Sequence, residues 1–166
     1  AGHLDKLFLL LFSTARNLKY LDLSNNPLFC FNVSRLSKIS SLESLFLSNT
    51  SLSSVFIEAG KNLKEVDLSH NRISTQKNCT FNFSEVSLSK FKLNNNQLES
   101  FVITQHMKAV THFDLSFNQL KTISKEGSIR LETVFLNLSH NRLDSISLDM
   151  FKSASMVFTN RVRDLD

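Results

Sequence analysis

The sequence predicts an α/β solenoid, a curved array with a parallel sheet on its concave face and irregular loops or short helical turns on its convex face. Three observations carry this reading. One apolar phrase, Leu-x-x-Leu-x-Leu-x-x-Asn-x-Leu, returns six times along the 166 residues. Its copies start about 21–25 residues apart, a period that signals stacked repeats rather than a globular core. The apolar residues inside each phrase alternate, as in Leu21-x-Leu23, which is strand periodicity with both side chains directed inward.

The first copy is Leu18, Leu21, Leu23, Asn26 and Leu28, and the second is Leu42, Leu45, Leu47, Thr50 and Leu52. The third is Leu63, Val66, Leu68, Asn71 and Ile73, and the fourth Leu88, Phe91, Leu93, Asn96 and Leu98. The fifth is Val110, Phe113, Leu115, Asn118 and Leu120, and the sixth Thr133, Leu136, Leu138, Asn141 and Leu143. Each copy reads as one short strand followed by a sharp turn, and stacking the copies side by side gives a parallel sheet. The turn leaves backbone groups inside the stack. An Asn there carries two donors and an acceptor, so it can satisfy its own turn and the neighbouring one. Asn26, Asn71, Asn96, Asn118 and Asn141 are therefore expected to form a structural ladder, with Thr50 a weaker rung.

A second apolar site follows three residues after the last Leu of each phrase. It holds Phe31, Val55, Phe101, Ile123 and Ile146, with Gln76 as the exception. The chain has 15 Phe, 1 Tyr and no Trp. Phe is a large apolar filler with no polar group to satisfy, so the Phe in register, with Phe56, Phe81, Phe83 and Phe151, are read as interior packing. The sixth copy departs from the pattern. Thr133 occupies a Leu slot, and Leu131 and Val134 lie out of phase beside it, which predicts a small insertion before its strand and a weakly specified register.

On these residues the chain resembles the leucine-rich repeat family from Leu18 to Leu143. Copies such as "LKYLDLSNNPL", "LKEVDLSHNRI" and "LNLSHNRL" are similar to the animal extracellular type found in Toll-like receptor ectodomains. Plant receptor repeats carry a Gly and an Ile-Pro in each copy, whereas this chain has 3 Gly and 1 Pro. The resemblance implies a single domain over 1–166, with about six full repeats and partial repeats at both ends. It further implies a fragment of a longer array, because Cys-rich caps of the extracellular members are not visible. Val162-x-x-Leu165 reads as a seventh phrase broken off, and Leu11-Phe12 as the tail of a preceding one. The alternative is caps of unrecognised type.

The apolar run from Leu7 to Phe12 is short and lacks an upstream basic segment, so it reads as buried solenoid rather than a signal peptide. No stretch approaches the roughly 20 apolar residues of a membrane span. The net charge of +4 comes from scattered Lys and Arg, without the basic stripe interleaved with aromatics that nucleic-acid binding requires. Cys30 and Cys79 fall at unequal positions two repeats apart; each is free, paired outside this segment, or joined to the other by a loop excursion. Five sequons, at Asn32, Asn49, Asn78, Asn82 and Asn137, give mild support for glycosylation and secretion.

Function is expected on the outward residues of the strands. The first outward position carries Tyr20, Ser44, Glu65, Lys90, His112 and Phe135, and the second Asp22, Phe46, Asp67, Lys92, Asp114 and Asn137. Asp22, Asp67 and Asp114 belong to a recurring "DLS" and read as framework. Tyr20, Phe46, Lys90, Lys92, His112 and Phe135 break the pattern and are the expected partner-binding residues, with cross-strand ion pairing the competing reading for the two lysines. Phe135 could also be drawn inward by the insertion. No catalytic or metal site and no cofactor is expected: His70 and His140 recur with the repeat as turn residues, and the three glycines are isolated. The expected role is a non-enzymatic module that binds a protein ligand or co-receptor, extracellular, as a receptor ectodomain or a secreted immune or adhesion protein. An intracellular scaffold is the alternative. Uncapped ends could also bring two copies together.

Overall fold

A computed structural model of the chain describes residues 14–28, 31–32, 39–58, 61–75, 80–82, 88–150, 156–158 and 164–165. Its strands in chain order are β1 (Tyr20–Asp22), β2 (Phe31–Asn32), β3 (Ser44–Phe46), β4 (Val55–Glu58), β5 (Glu65–Asp67), β6 (Thr80–Asn82) and β7 (Lys90–Lys92). They continue with β8 (Ser100–Ile103), β9 (His112–Asp114), β10 (Thr122–Lys125), β11 (Phe135–Asn137), β12 (Ser145–Ile146), β13 (Met156–Phe158) and β14 (Asp164–Leu165). The odd-numbered strands form one 7-stranded sheet in chain order, each pair parallel. This is a parallel-sheet β-solenoid.

Every phrase enters the main sheet in the same register. The middle residue of each strand pairs with its equivalent, Leu21 with Leu45, then Val66, Phe91, Phe113, Leu136 and Val157. Period-2 alternation then commits one residue per strand to the core and its two neighbours to the outer face. Leu45, Val66, Phe91, Phe113 and Leu136 are fully buried, as are Leu47, Leu68, Leu93 and Leu115 one step on. Phe91 stacks on Phe113 at 5.4 Å, and Phe101 meets the edge of Phe113 at 5.4 Å from behind. Removing one such ring would cost about 3–5 kcal/mol.

Behind the main sheet the structure departs from the expected loops and helical turns. Short strands pair there as β2-β4-β6, β8-β10 and β12-β14. The cause is the second apolar site, which itself alternates: Val55 with Ile57, and Phe101 with Ile103, are buried side by side. Extended backbone in one repeat finds the same backbone in the next, and a ladder closes. Among the described elements the helical ones are two 3-10 turns, Gln105–Met107 and Leu148–Met150.

Two local readings of the sequence are corrected. The seventh sheet strand is Met156–Phe158, paired with β11, while Leu165 pairs with Ile146 in the second row. Leu165 therefore takes the second apolar site of its repeat, not a phrase position. Register in the sixth copy is kept, with Leu136 opposite Phe113. Thr133 fills the Leu slot while buried, and its hydroxyl donates to Val110 O at 2.8 Å. Leu131 is buried in the common core, and Phe135 stays half-buried on the outer face.

Each described turn after a main-sheet strand uses the same chemistry. Asn25, Asn49, His70, Asn95, Phe117 and His140 all have positive φ, between 53° and 61°. Asn and His adopt this left-handed conformation more readily than other side chains, whereas Phe117 is a bulky outlier. The next residue is the ladder position. Asn71 donates from Nδ2 to Leu47 O at 2.8 Å and to Leu68 O at 3.0 Å, and its Oδ1 accepts Thr50 N and Leu52 N, both at 3.0 Å. Asn96, Asn118 and Asn141 repeat this, with Oδ1 accepting Ile73 N, Leu98 N and Leu120 N respectively. Asn26 is exposed, and its bonds among the described residues stay within its own turn, to Leu23 O and Ser24 O. Thr50 is fully buried, and its single hydroxyl proton is shared between Leu47 O and Asn71 Oδ1, each 2.9 Å away.

Candidate functional site

The outer face of the main sheet is set by the frame just described. Its "DLS" carboxylates are tied into the turns: Ser24 N donates to Asp22 Oδ1, Ser69 N to Asp67 Oδ1 and Ser116 N to Asp114 Oδ1, each at 2.9 Å. Asn137 takes the same slot, its Oδ1 accepting Ser139 N at 3.1 Å. One oxygen of each side chain therefore serves the fold. The second oxygen of Asp67 receives Lys92, while no described hydrogen bond reaches that of Asp22 or Asp114.

Three zones lie across the sheet. At β1 and β3, Tyr20 is 62% exposed and its ring sits 5.0 Å from that of half-buried Phe46. Beside them Glu43 bridges Lys19 at 3.1 Å and Lys64 at 2.8 Å. Hydrogen bonds from Lys64 and Lys19 hold the Glu43 carboxyl below its ordinary range. At β5 and β7 the charges match strand to strand. Lys92 reaches Asp67 Oδ2 at 3.2 Å and Lys90 approaches Glu65 at 4.0 Å. Both lysines pair toward β5, and neither bridges to Asp114. At β9 and β11, His112 stacks on Phe135 at 6.1 Å with 23° between the rings. A depression of about 300 Å³ opens there, lined by Glu65, Lys90, Lys92, His112, Asp114 and Phe135.

A larger hollow of about 540 Å³ lies between the 3-10 turn at Gln105 and the loop through Gly127 to Arg130, away from the sheet face. Its lining of mixed charge, Lys108, Glu126 and Arg130 with Gln105, Ser128 and Ile129, includes no aromatic anchor, so the sheet face is the better candidate. His70 and His140 stand in the left-handed turn position, and His140 stacks on Phe117 at 4.0 Å. Phe117, 49% exposed, is absent from the residues picked out of the sequence. Its signal was its place in "SFN", where the other turns carry Asn or His.

Among the described residues no group of three His, Cys, Asp or Glu is placed to hold a metal ion. Nor, among the described residues, is any helix long and apolar enough to cross a membrane. Of the sequon residues, Asn49 is exposed in a turn with its Nδ2 donating to Asn25 Oδ1 at 2.9 Å. Asn137 is half-buried on β11, and Asn32 and Asn82 lie on β2 and β6. Asn78, Cys30, Cys79, Gln76 and the run from Leu7 to Phe12 lie outside the described residues.

Leucine-rich repeats generally mediate protein–protein recognition and are typically non-enzymatic. Searches of curated proteins and of solved structures returned no match. Residues 17–39, 62–83 and 133–154 match the family model described as Leucine Rich Repeat, and these three matches, each spanning one main-sheet strand and its turn, support a leucine-rich repeat family for the chain.

Proposed function

We propose that this chain is a non-enzymatic recognition module of an extracellular receptor ectodomain or a secreted immune or adhesion protein, similar to the Toll-like receptor type. It binds a protein ligand or co-receptor through the outer face of the main sheet, on the concave side of the solenoid. The observation that carries this reading is the aromatic pair Tyr20–Phe46, held on a sheet face whose other outward positions are mostly polar. Exposed aromatics on a rigid polar surface are the usual anchors of protein interfaces. The five sequons favour the secretory route.

Phe46→Ala tests the face. The side chain points away from the core, so the expected result is unchanged folding and weakened partner binding; normal affinity would move the site elsewhere. Gel mobility before and after N-glycosidase tests the compartment. A downward shift is expected, and an unshifted band would favour the intracellular scaffold and a cytosolic partner.

A further inference from the structure

The two aromatic pairs of the sheet each stand beside a carboxylate that no described cation reaches. Asp67 shows what a matched carboxylate looks like here: Oδ1 accepts Ser69 N and Ser69 Oγ, and Oδ2 receives Lys92. Asp114 has the same inner bonds, with Oδ1 accepting Ser116 N at 2.9 Å and Ser116 Oγ at 2.6 Å, but among the described residues no Lys or Arg reaches its Oδ2. Asp114 and Phe135 line the same depression. Asp22 is in the same condition at the other end. Its Oδ1 accepts Ser24 N, no described cation pairs with it, and in register it stands directly opposite Phe46.

Resting on the reading of this sheet as the partner face, we propose that Asp22 with Phe46 and Asp114 with Phe135 are two stations for basic side chains of a partner protein, Arg in particular. A guanidinium fits both parts of each station. It donates to the free carboxylate oxygen and lies against the aromatic ring, a combination an ammonium makes less well. Between the stations Glu65, Asp67, Lys90 and Lys92 balance one another, and although Glu65, Lys90 and Lys92 share the depression with Asp114 and Phe135, the charge left over there is the Asp114 carboxylate. Asp22 and Asp114 are four strand intervals apart, about 19 Å at roughly 4.8 Å per interval. An extended partner segment crossing the strands would place its two basic residues about six positions apart. Two weak stations on one rigid sheet then act together, because the second contact forms at high effective concentration.

The test is an amide chemical-shift titration of the whole chain produced in bacteria, so that no glycan on Asn137 shields its neighbours. The probes are capped arginine, its uncharged analogue capped citrulline, and capped glutamate. Capped arginine is expected to shift signals of β1–β3 and β9–β11, and capped citrulline to shift neither. Asp22→Asn should silence the first cluster alone and Asp114→Asn the second alone. These variants keep the turn, since Asn137 already accepts Ser139 N from the same slot, and their amide spectra report the fold directly. Absence of arginine-induced shifts, shifts that survive both substitutions, or a stronger response to glutamate at Lys90 and Lys92 would each overturn the proposal. Failure of the face as a whole would show differently, as unchanged partner affinity in Phe46→Ala.

Discussion

Replacing ladder residues by Ala should destabilise the array in a graded way that the bonding pattern dictates. Asn96 makes four bonds, but most of its partners are doubly served. Leu68 O also accepts Asn71 Nδ2, and Leu93 O also accepts Asn118 Nδ2, both at 3.0 Å. Only Ile73 N–H loses its acceptor inside the stack when Asn96 is removed. One orphaned buried donor costs about 1–3 kcal/mol, so Asn96→Ala is placed in that range rather than at the sum of four bonds. Asn71 differs because its Oδ1 is the acceptor for two buried amides, Thr50 N and Leu52 N. Asn71→Ala should therefore cost about twice as much as Asn96→Ala. Asn26 accepts no described amide and is exposed, so Asn26→Ala should stay within about 0.5 kcal/mol of the parent. Urea unfolding followed by far-UV circular dichroism reads all three, provided the slope with denaturant is unchanged. Equal midpoint losses for Asn71→Ala and Asn26→Ala would refute the reasoning, because position in the ladder would then not matter.

Other outcomes follow from single contacts. Thr133→Val deletes the hydroxyl that donates to Val110 O inside the core and is expected to cost about 1 kcal/mol in the same urea assay. Phe117→Asn trades a stack on His140 worth about 0.5–1.5 kcal/mol for relief of left-handed strain of about 1–2 kcal/mol, so its midpoint should stay near the parent's, while the β-branched Phe117→Val should fall clearly below it. Glu43 has a folded pKa depressed below 4.5, so its contribution is present above that pH and is lost as pH falls through the folded value. Glu43→Gln should flatten the acid limb of the midpoint-against-pH curve below 4.5, and the difference should vanish in about 1 M salt, because the pairs are exposed and screened. Asn137 is half-buried on β11, has its Oδ1 engaged by Ser139 N and stands in register with Asp114 on the partner face, so peptide mapping of secreted protein is expected to find Asn137 unoccupied.

Sheet register was readable because a single rule, alternation around the second and third phrase positions, fixes which side chains turn inward. Even the irregular sixth copy obeys it, since Thr133 supplies both bulk and a donor where a Leu would supply bulk alone. The second row of strands was not readable. Its signal is one apolar pair, such as Val55 and Ile57, too short to distinguish a strand from a loop without the neighbouring repeat beside it. The seventh main-sheet strand failed for a related reason. Met156, Val157 and Phe158 are apolar in succession, so no alternation marks the inward residue, and the clearer spacing of Val162 and Leu165 drew the phrase to the wrong place.

Charge matching on the sheet face poses a different problem. Lys92 stands in register with Asp67 on one side and Asp114 on the other, and the sequence offers both carboxylates to it equally. The two flanking strands are not equal, however. β5 presents Glu65 and Asp67 on the face, opposite Lys90 and Lys92, so two cations meet two anions in one register. β9 presents a single carboxylate beside His112, whose ring is stacked on Phe135. Pairing both lysines toward β5 satisfies four charges at once, whereas turning one toward β9 would strand a carboxylate on β5, where Asp67 is 9% exposed and costlier to leave bare than the half-buried Asp114. The mismatch between β5, β7 and β9 is therefore moved to the more accessible position, and the Asp114 carboxylate, unmatched among the described residues, lines the depression that holds Phe135.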